Sequence, residues 1–160
     1  RLKLKVNEAK SAVGKPYERA FLGFSIVRGG KTAVSAKARD RLKAKIRELT
    51  GRNRGCSLRR MIGELATYLR GWKAYFRIAT ARSNLRELSA WMMRKLRCYL
   101  WKQWGGRGYR ELRKRGVSRD LAWNTSKSAH GPWRISMSPA LSIALPTRYF
   151  VELGLPLLHT

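Results

Sequence analysis

Ser57-Leu58-Arg59-Arg60-Met61-Ile62-Gly63-Glu64-Leu65-Ala66-Thr67-Tyr68-Leu69-Arg70-Gly71-Trp72-Lys73-Ala74-Tyr75-Phe76 decides the fold. Ser57 is a residue type that caps helices, because its hydroxyl accepts from an otherwise unpaired backbone N–H. After it, Leu58, Met61, Ile62, Leu65, Leu69, Trp72 and Phe76 recur every three or four residues, which lines one side of a helix. The breadth of that apolar face makes this helix the central one. Gly63 and Gly71 each cost about 1 kcal/mol against Ala in a helix interior. They read as points of close helix contact or, at Gly71, a kink.

The segments on either side repeat the pattern. Upstream, Ser35 caps a helix with a narrow stripe of Val34, Ala38, Leu42, Ile46 and Leu49, stopped by Gly51. Its remaining surface carries Lys37, Arg39, Arg41, Lys43, Lys45 and Arg47, and Gly51–Ser57 is a basic loop. Downstream, Ser83 caps a third helix with Leu85, Leu88, Met92, Leu96 and Tyr99 on one face. Gly105-Gly106 stops it. Three amphipathic helices with short links form a small bundle.

The flanks differ in texture. Arg1–Val6 alternates basic and apolar residues, as a half-buried strand does. It reads as part of a sheet mostly encoded upstream, with Asn7–Pro16 as a loop. Phe21–Val27 is a second strand, Gly29-Gly30 a tight hairpin, and Thr32–Val34 a short third strand. Beyond Arg107, Tyr109–Arg115 is a short basic helix ending at Gly116. Ser118 opens another to about Ser126, Ser138-Pro139 caps a third, and Thr147–Leu153 is the last. The expected fold is therefore mainly α: a three-helix bundle, preceded by a short antiparallel β segment and followed by a small helical tail.

Charge bounds the function. The 160 residues hold 36 Lys and Arg against 9 Asp and Glu, a formal net charge of +27. Self-repulsion on that scale calls for a polyanionic partner, and a nucleic acid backbone is the natural one. Arg28–Arg60 alone has 12 basic residues and two acids. A hydrophobic content of 44% excludes simple disorder. Cys56 and Cys98, far apart and with no CxxC, read as free thiols in a reducing compartment. No apolar run is long enough for a membrane span, and no signal peptide is visible.

Catalytic signals are missing. Asp40, Glu48, Glu64, Glu87, Glu111 and Asp120 are scattered among cations, where pairing with Lys or Arg is the expected fate. No set of carboxylates for Mg²⁺ can be assembled, and the chain taken alone is not expected to be an enzyme. His130 lies in a Gly-Pro turn and His159 at an end expected to fray. Trp72 reads as core, Trp101 and Trp104 as packing beneath the tail, and Trp123 and Trp133 as anchors of the tail.

Specific strings then carry a resemblance. Phe21-Leu22-Gly23-Phe24, preceded by Leu4-Lys5-Val6-Asn7 and Lys10, resembles the closing palm segments of group II intron reverse transcriptases. Leu69-Arg70-Gly71-Trp72 with Tyr75-Phe76, and Arg94–Trp104, resemble their thumb, or maturase-specific X domain. Tyr109–Gly116, Ala122-Trp123 and Gly131–Pro139 are similar to the short DNA-contacting region that follows the thumb in bacterial members. The resemblance implies three parts: the end of a palm at 1–34, a thumb or X domain at 35–105, and a basic DNA-binding-like region at 106–160.

It also implies a job. The thumb of this family closes over the template–primer duplex, and the same surface binds folded intron RNA to assist splicing. The intact proteins copy the intron into DNA at its target site. Their catalytic aspartates, with Mg²⁺, belong to a palm motif absent here, and Asp40 is no substitute. No cysteine follows Cys98, so an HNH-type endonuclease tail is not expected. The expected partners are intron RNA, target DNA with template–primer duplex, and the palm and fingers. The expected setting is a bacterial cytoplasmic ribonucleoprotein, with no cofactor in this chain.

On this reading Lys37, Arg41 and Lys45 follow one backbone, while Arg52, Arg54, Arg59 and Arg60 grip structured RNA. Lys31, Arg70, Lys73, Arg94, Arg97, Arg107, Arg110, Arg113, Lys114 and Arg115 complete the candidate nucleic-acid contacts. A basic structural protein of ribosomal type, and the thumb of a defence-system reverse transcriptase, remain the alternatives.

Overall fold

Helix α2 (Leu58–Tyr75) occupies the centre, as its broad apolar face requires. Met61, Ile62, Leu65 and Leu69 are fully buried. Truncating any one to Ala is expected to cost about 2–5 kcal/mol. Ser57 Oγ accepts from the Arg60 N–H at 3.3 Å, the expected cap. Gly63 and Gly71 are exposed, and a Cβ at either would meet nothing within 4 Å. The expectation of close helix contact at these glycines is therefore corrected: they lie on the solvent side.

The computed structural model describes residues 14–27 and 29–159. The strand expected at Arg1–Val6 lies outside the described residues, as does most of the Asn7–Pro16 loop. Helix α1 (Ala36–Leu49) begins at Ser35, whose Oγ accepts from the Ala38 N–H at 3.3 Å. Leu42 and Ile46 are fully buried. The helix stops at Thr50 rather than Gly51: the Thr50 hydroxyl donates to the Ile46 carbonyl at 2.6 Å. Helix α3 (Ser83–Trp104) also starts differently, with Arg82 as its cap and no side-chain capping bond. Gly105 ends it at φ +49°, a conformation that favours glycine.

Strands β1 (Ala20–Phe21), β2 (Phe24–Val27) and β3 (Lys31–Val34) form an antiparallel sheet in the order β1-β2-β3. Phe24 faces Val34 and Val27 faces Lys31 across β2 and β3. Gly29 and Gly30, at φ +84° and +71°, make the hairpin as expected. The single strand expected over Phe21–Val27 is instead two strands broken at Leu22-Gly23, with φ +49° and +81°. Packing explains the break. A Cβ on Gly23 would sit 3.1 Å from Phe76 Cζ, so the turn brings bare backbone onto that ring. Phe24 and Trp72 also lie against Phe76, with centroids 5.0 and 4.5 Å away. The strings Phe21–Phe24 and Leu69–Phe76, far apart in sequence, thus pack on one another.

The tail is a series of short helices: α4 (Gly108–Lys114), α5 (Arg119–Lys127), α6 (Pro132–Ile135), α7 (Pro139–Ala144) and α8 (Thr147–Glu152). Helix α6 has no counterpart in the sequence reading. One hydrophobic core runs through bundle and tail, from Val34 to Leu158. The chain then returns to α3: the Leu158 N–H donates to Ser89 Oγ at 3.4 Å, and His159 Nδ1 lies 3.2 Å from the same oxygen. Fraying at His159 is thereby corrected.

A candidate nucleic-acid interface

Of the six acids expected to pair, three are spent locally, while Asp40, Glu87 and Asp120 have no ion pair among the described residues. Lys45 pairs with Glu48 at 2.6 Å. Glu64 holds Arg54 at 2.5 Å and Arg60 at 3.1 Å, and Glu111 pairs with Arg115. Hydrogen bonds from Arg54 first, and from Arg60, hold the Glu64 carboxyl below its ordinary pKa; Arg115 does the same for Glu111. Four candidate contacts, Lys45, Arg54, Arg60 and Arg115, therefore have partners within the protein. Among the described residues, no three of His, Cys, Asp or Glu gather to hold a metal ion. The donor set does not fit Mg²⁺.

The basic loop at 51–57 is fastened at both ends. Arg54 donates from Nη1 to the Leu49 carbonyl at 2.6 Å, closing the end of α1. The Cys56 carbonyl accepts from the Tyr99 hydroxyl and from Gln103 Nε2, the latter at 2.9 Å. Burial, with the contact to Cys56, pushes the Tyr99 phenol up to about 12. Arg52 and Arg59 are exposed on and beside this fastened loop.

A second group of cations turns inward. The Arg94 guanidinium lies 3.7 Å from the Trp133 ring centroid and donates to the Trp133 carbonyl at 3.1 Å and Ser136 Oγ at 3.4 Å. Arg97 donates from Nε to the Leu145 carbonyl at 3.0 Å, closing α7, and burial lowers its pKa. Arg113 donates to the Val117 carbonyl at 2.7 Å. Helices this short leave most of their carbonyls without intrahelical partners, and these arginines supply donors.

The remaining candidates face solvent: Lys31, Lys37, Arg41, Arg52, Arg59, Arg70, Arg107, Arg110 and Lys114 are exposed, and Lys73 is half-buried. Arg41 lines a cleft of about 410 Å³ together with Gly23, Tyr68, Trp72 and Tyr75. Sequence reasoning missed a different stripe of α1. Arg39, Lys43 and Arg47, spaced by four, line a groove of about 200 Å³ against Asn84, Glu87 and Trp91 of α3. The spacing is legible, but only the position of α3 shows which stripe becomes concave.

The tryptophans divide. Trp104 is buried, and Trp101 packs over Gly108, where a Cβ would sit 2.8 Å from the indole. Trp72 is half-buried against the core, and Trp133 lies under Arg94. Trp123 does not serve as the expected anchor: it is 52% exposed and meets Tyr109 edge-on at 5.9 Å. Cys56 and Cys98 are both free thiols, and burial pushes the Cys98 thiol up. Among the described residues, no helix is long and apolar enough to cross a membrane.

Comparison with known proteins converges on the same helices. Residues 39–116 match the family model of the group II intron, maturase-specific domain. That span runs from the first turn of α1 to the turn after α4. Phe21–Phe24 and the tail beyond Gly116 lie outside it. No curated protein matches the chain.

Proposed function

We propose that the chain binds folded intron RNA through phosphate contacts to assist splicing, on the premise that residues 39–116 match the family model of the group II intron, maturase-specific domain. The observation that carries this reading is the split among the cations. Lys37, Arg41, Arg52 and Arg59 are exposed, while Glu48 and Glu64 are already paired and Asp40 alone offsets little of that charge. An excess of open cations on a fastened loop and a rigid helix suits phosphate, which needs charge more than shape.

The wider role follows from the same premise. The chain acts as the thumb of a reverse transcriptase and grips template–primer duplex during target-primed copying, within an intron ribonucleoprotein. Phe21–Val34 belongs to the edge of that enzyme's palm, and the tail meets target DNA. The carboxylates and Mg²⁺ for polymerisation belong to palm residues outside these helices.

Arg52→Glu with Arg59→Glu tests the RNA contact, because both side chains are exposed and the fastening of the loop is left intact. Binding of the full chain to intron RNA is measured over a salt series. Affinity should fall, and the slope of log K against log salt should flatten by about 0.7–0.9 for each phosphate the variant no longer neutralises. Unchanged affinity at matched salt would show that this loop is not the interface.

A further inference from the structure

The groove between α1 and α3 has features that a phosphate-tracking surface does not need. Its α1 wall is Arg39, Lys43 and Arg47; its α3 wall is Asn84, Glu87 and Trp91. Arg39 Nε is out of solvent and has no hydrogen-bond partner within the protein. A sheltered guanidinium N–H without an acceptor is a poor structural device and a good anion receptor. The Trp91 indole has Arg47 5.4 Å and Lys95 5.8 Å from its ring centroid. Arg47 and Lys95 thus set two cations against this ring, and burial first, then the charges of Arg47 and Arg52, hold the Lys95 ammonium below its ordinary pKa.

We propose that this groove is a pocket for one unstacked nucleotide of the bound RNA, its base against the Trp91 indole and its phosphate on Arg39, Lys43 and Arg47. The inference rests on the reading that the chain binds RNA, and it names which part of the RNA enters. A duplex is excluded by shape. Its bases are stacked on each other and cannot reach an indole set between two helices, whereas an unpaired base offers a free face. Glu87 gives the pocket a second preference. Its carboxyl oxygens, on the wall opposite the cations, can accept from the N–H groups of a base edge. Asn84 can donate or accept beside it. An acidic protein segment would use the cations but gain nothing from the indole.

The test compares a short single-stranded RNA with a blunt RNA duplex of equal phosphate number, both titrated against the full chain. Trp91→Leu should weaken single-strand binding by roughly tenfold while changing duplex binding by less than about twofold. Trp91→Phe, which keeps a stacking face, should recover most of the loss. Arg39→Met keeps the aliphatic stem and should flatten the single-strand salt slope by about 0.7. It should leave the melting temperature undiminished, since no internal bond is removed. If Trp91→Leu lowers both affinities equally, or neither, the pocket assignment fails while RNA binding stands. Equal competition by an acidic peptide and by single-stranded RNA overturns it in favour of a protein ligand. If the wild-type chain binds neither RNA, both readings fail together.

Discussion

Arg97 and Lys37 carry the same charge on helices of the same bundle, and the structure uses them in opposite ways. Arg97 reaches the Leu145 carbonyl, and its neighbour Arg94 stacks on Trp133, so this face of α3 is stapled to the tail. Lys37 stands in solvent on α1. The difference lies in what each helix faces. Short helices such as α6 and α7 leave most carbonyls unpaired, and a long cationic donor nearby serves them. Among the described residues, no helix end reaches Lys37 on the outer side of α1, where it is exposed. Net charge therefore overstates the interface, because part of it is consumed in building the fold.

The largest effect should come from breaking the inner staple. Arg97→Met keeps most of the stem but leaves the Leu145 carbonyl without its charged donor. The loss should be about 1.5–3 kcal/mol of unfolding free energy, measured by urea denaturation. Intron RNA binding by the fraction still folded should be preserved at matched salt. A loss of RNA affinity with unchanged stability would put Arg97 among the outer cations and collapse the distinction.

The loop comes next, because it joins the two classes: its backbone is fastened inward while Arg52 points outward. Tyr99→Phe deletes one of the two donors to the Cys56 carbonyl and should cost about 1–2 kcal/mol. Its pH signature is separate. The folded-state pKa of Tyr99 is raised from 10.0 to about 12. The folded protein therefore holds this proton more tightly than the unfolded chain, so the contribution is complete below 10 and is lost as pH rises through 12. Tyr99→Phe should flatten that part of the alkaline stability profile relative to wild type. Glu64 gives the acid counterpart. Its folded-state pKa is lowered by Arg54 and Arg60, so its contribution is present above the ordinary carboxylate range and fades as pH falls through the depressed value. Glu64→Gln should remove that acid-side slope, read by denaturation at a series of pH values.

These contrasts also mark how far the sequence could be read. The three bundle helices were legible from periodicity and from Ser35 and Ser57, because a broad apolar stripe leaves a helix one way to bury itself. The break at Leu22-Gly23 was not legible. It depends on Phe76, which is distant in sequence, and Phe21–Val27 taken alone has the composition of a strand. The separation of inner from outer arginines was equally hidden. Arg94 and Lys37 look alike until the tail is placed, and helix α6, which receives Arg94, is too short to carry a periodic signal. The groove beside Trp91 was missed for a related reason. Arg39, Lys43 and Arg47 have the same spacing as Lys37, Arg41 and Lys45, and only tertiary packing tells concave from convex.

The smallest effect belongs to Lys37, and its sign is the informative part. Lys37 lies in the first turn of α1, which contains no acid. The positive end of the helix dipole lies there, so a cation at this position is disfavoured by roughly 0.3–1 kcal/mol at low salt. It also adds to the repulsion within a strongly basic chain. Lys37→Ala should therefore raise stability slightly, by about 0.5 kcal/mol, with the gain shrinking as salt is added. The same substitution should weaken intron RNA binding and reduce its salt slope by about 0.7–0.9, the equivalent of one phosphate. Helix physics gives no reason to keep Lys37, whereas a polyanion on this face does. If the variant is stabilised and its RNA binding is untouched, the outer stripe of α1 is not an interface, and the division between inner and outer cations must be redrawn around the loop and the Trp91 groove.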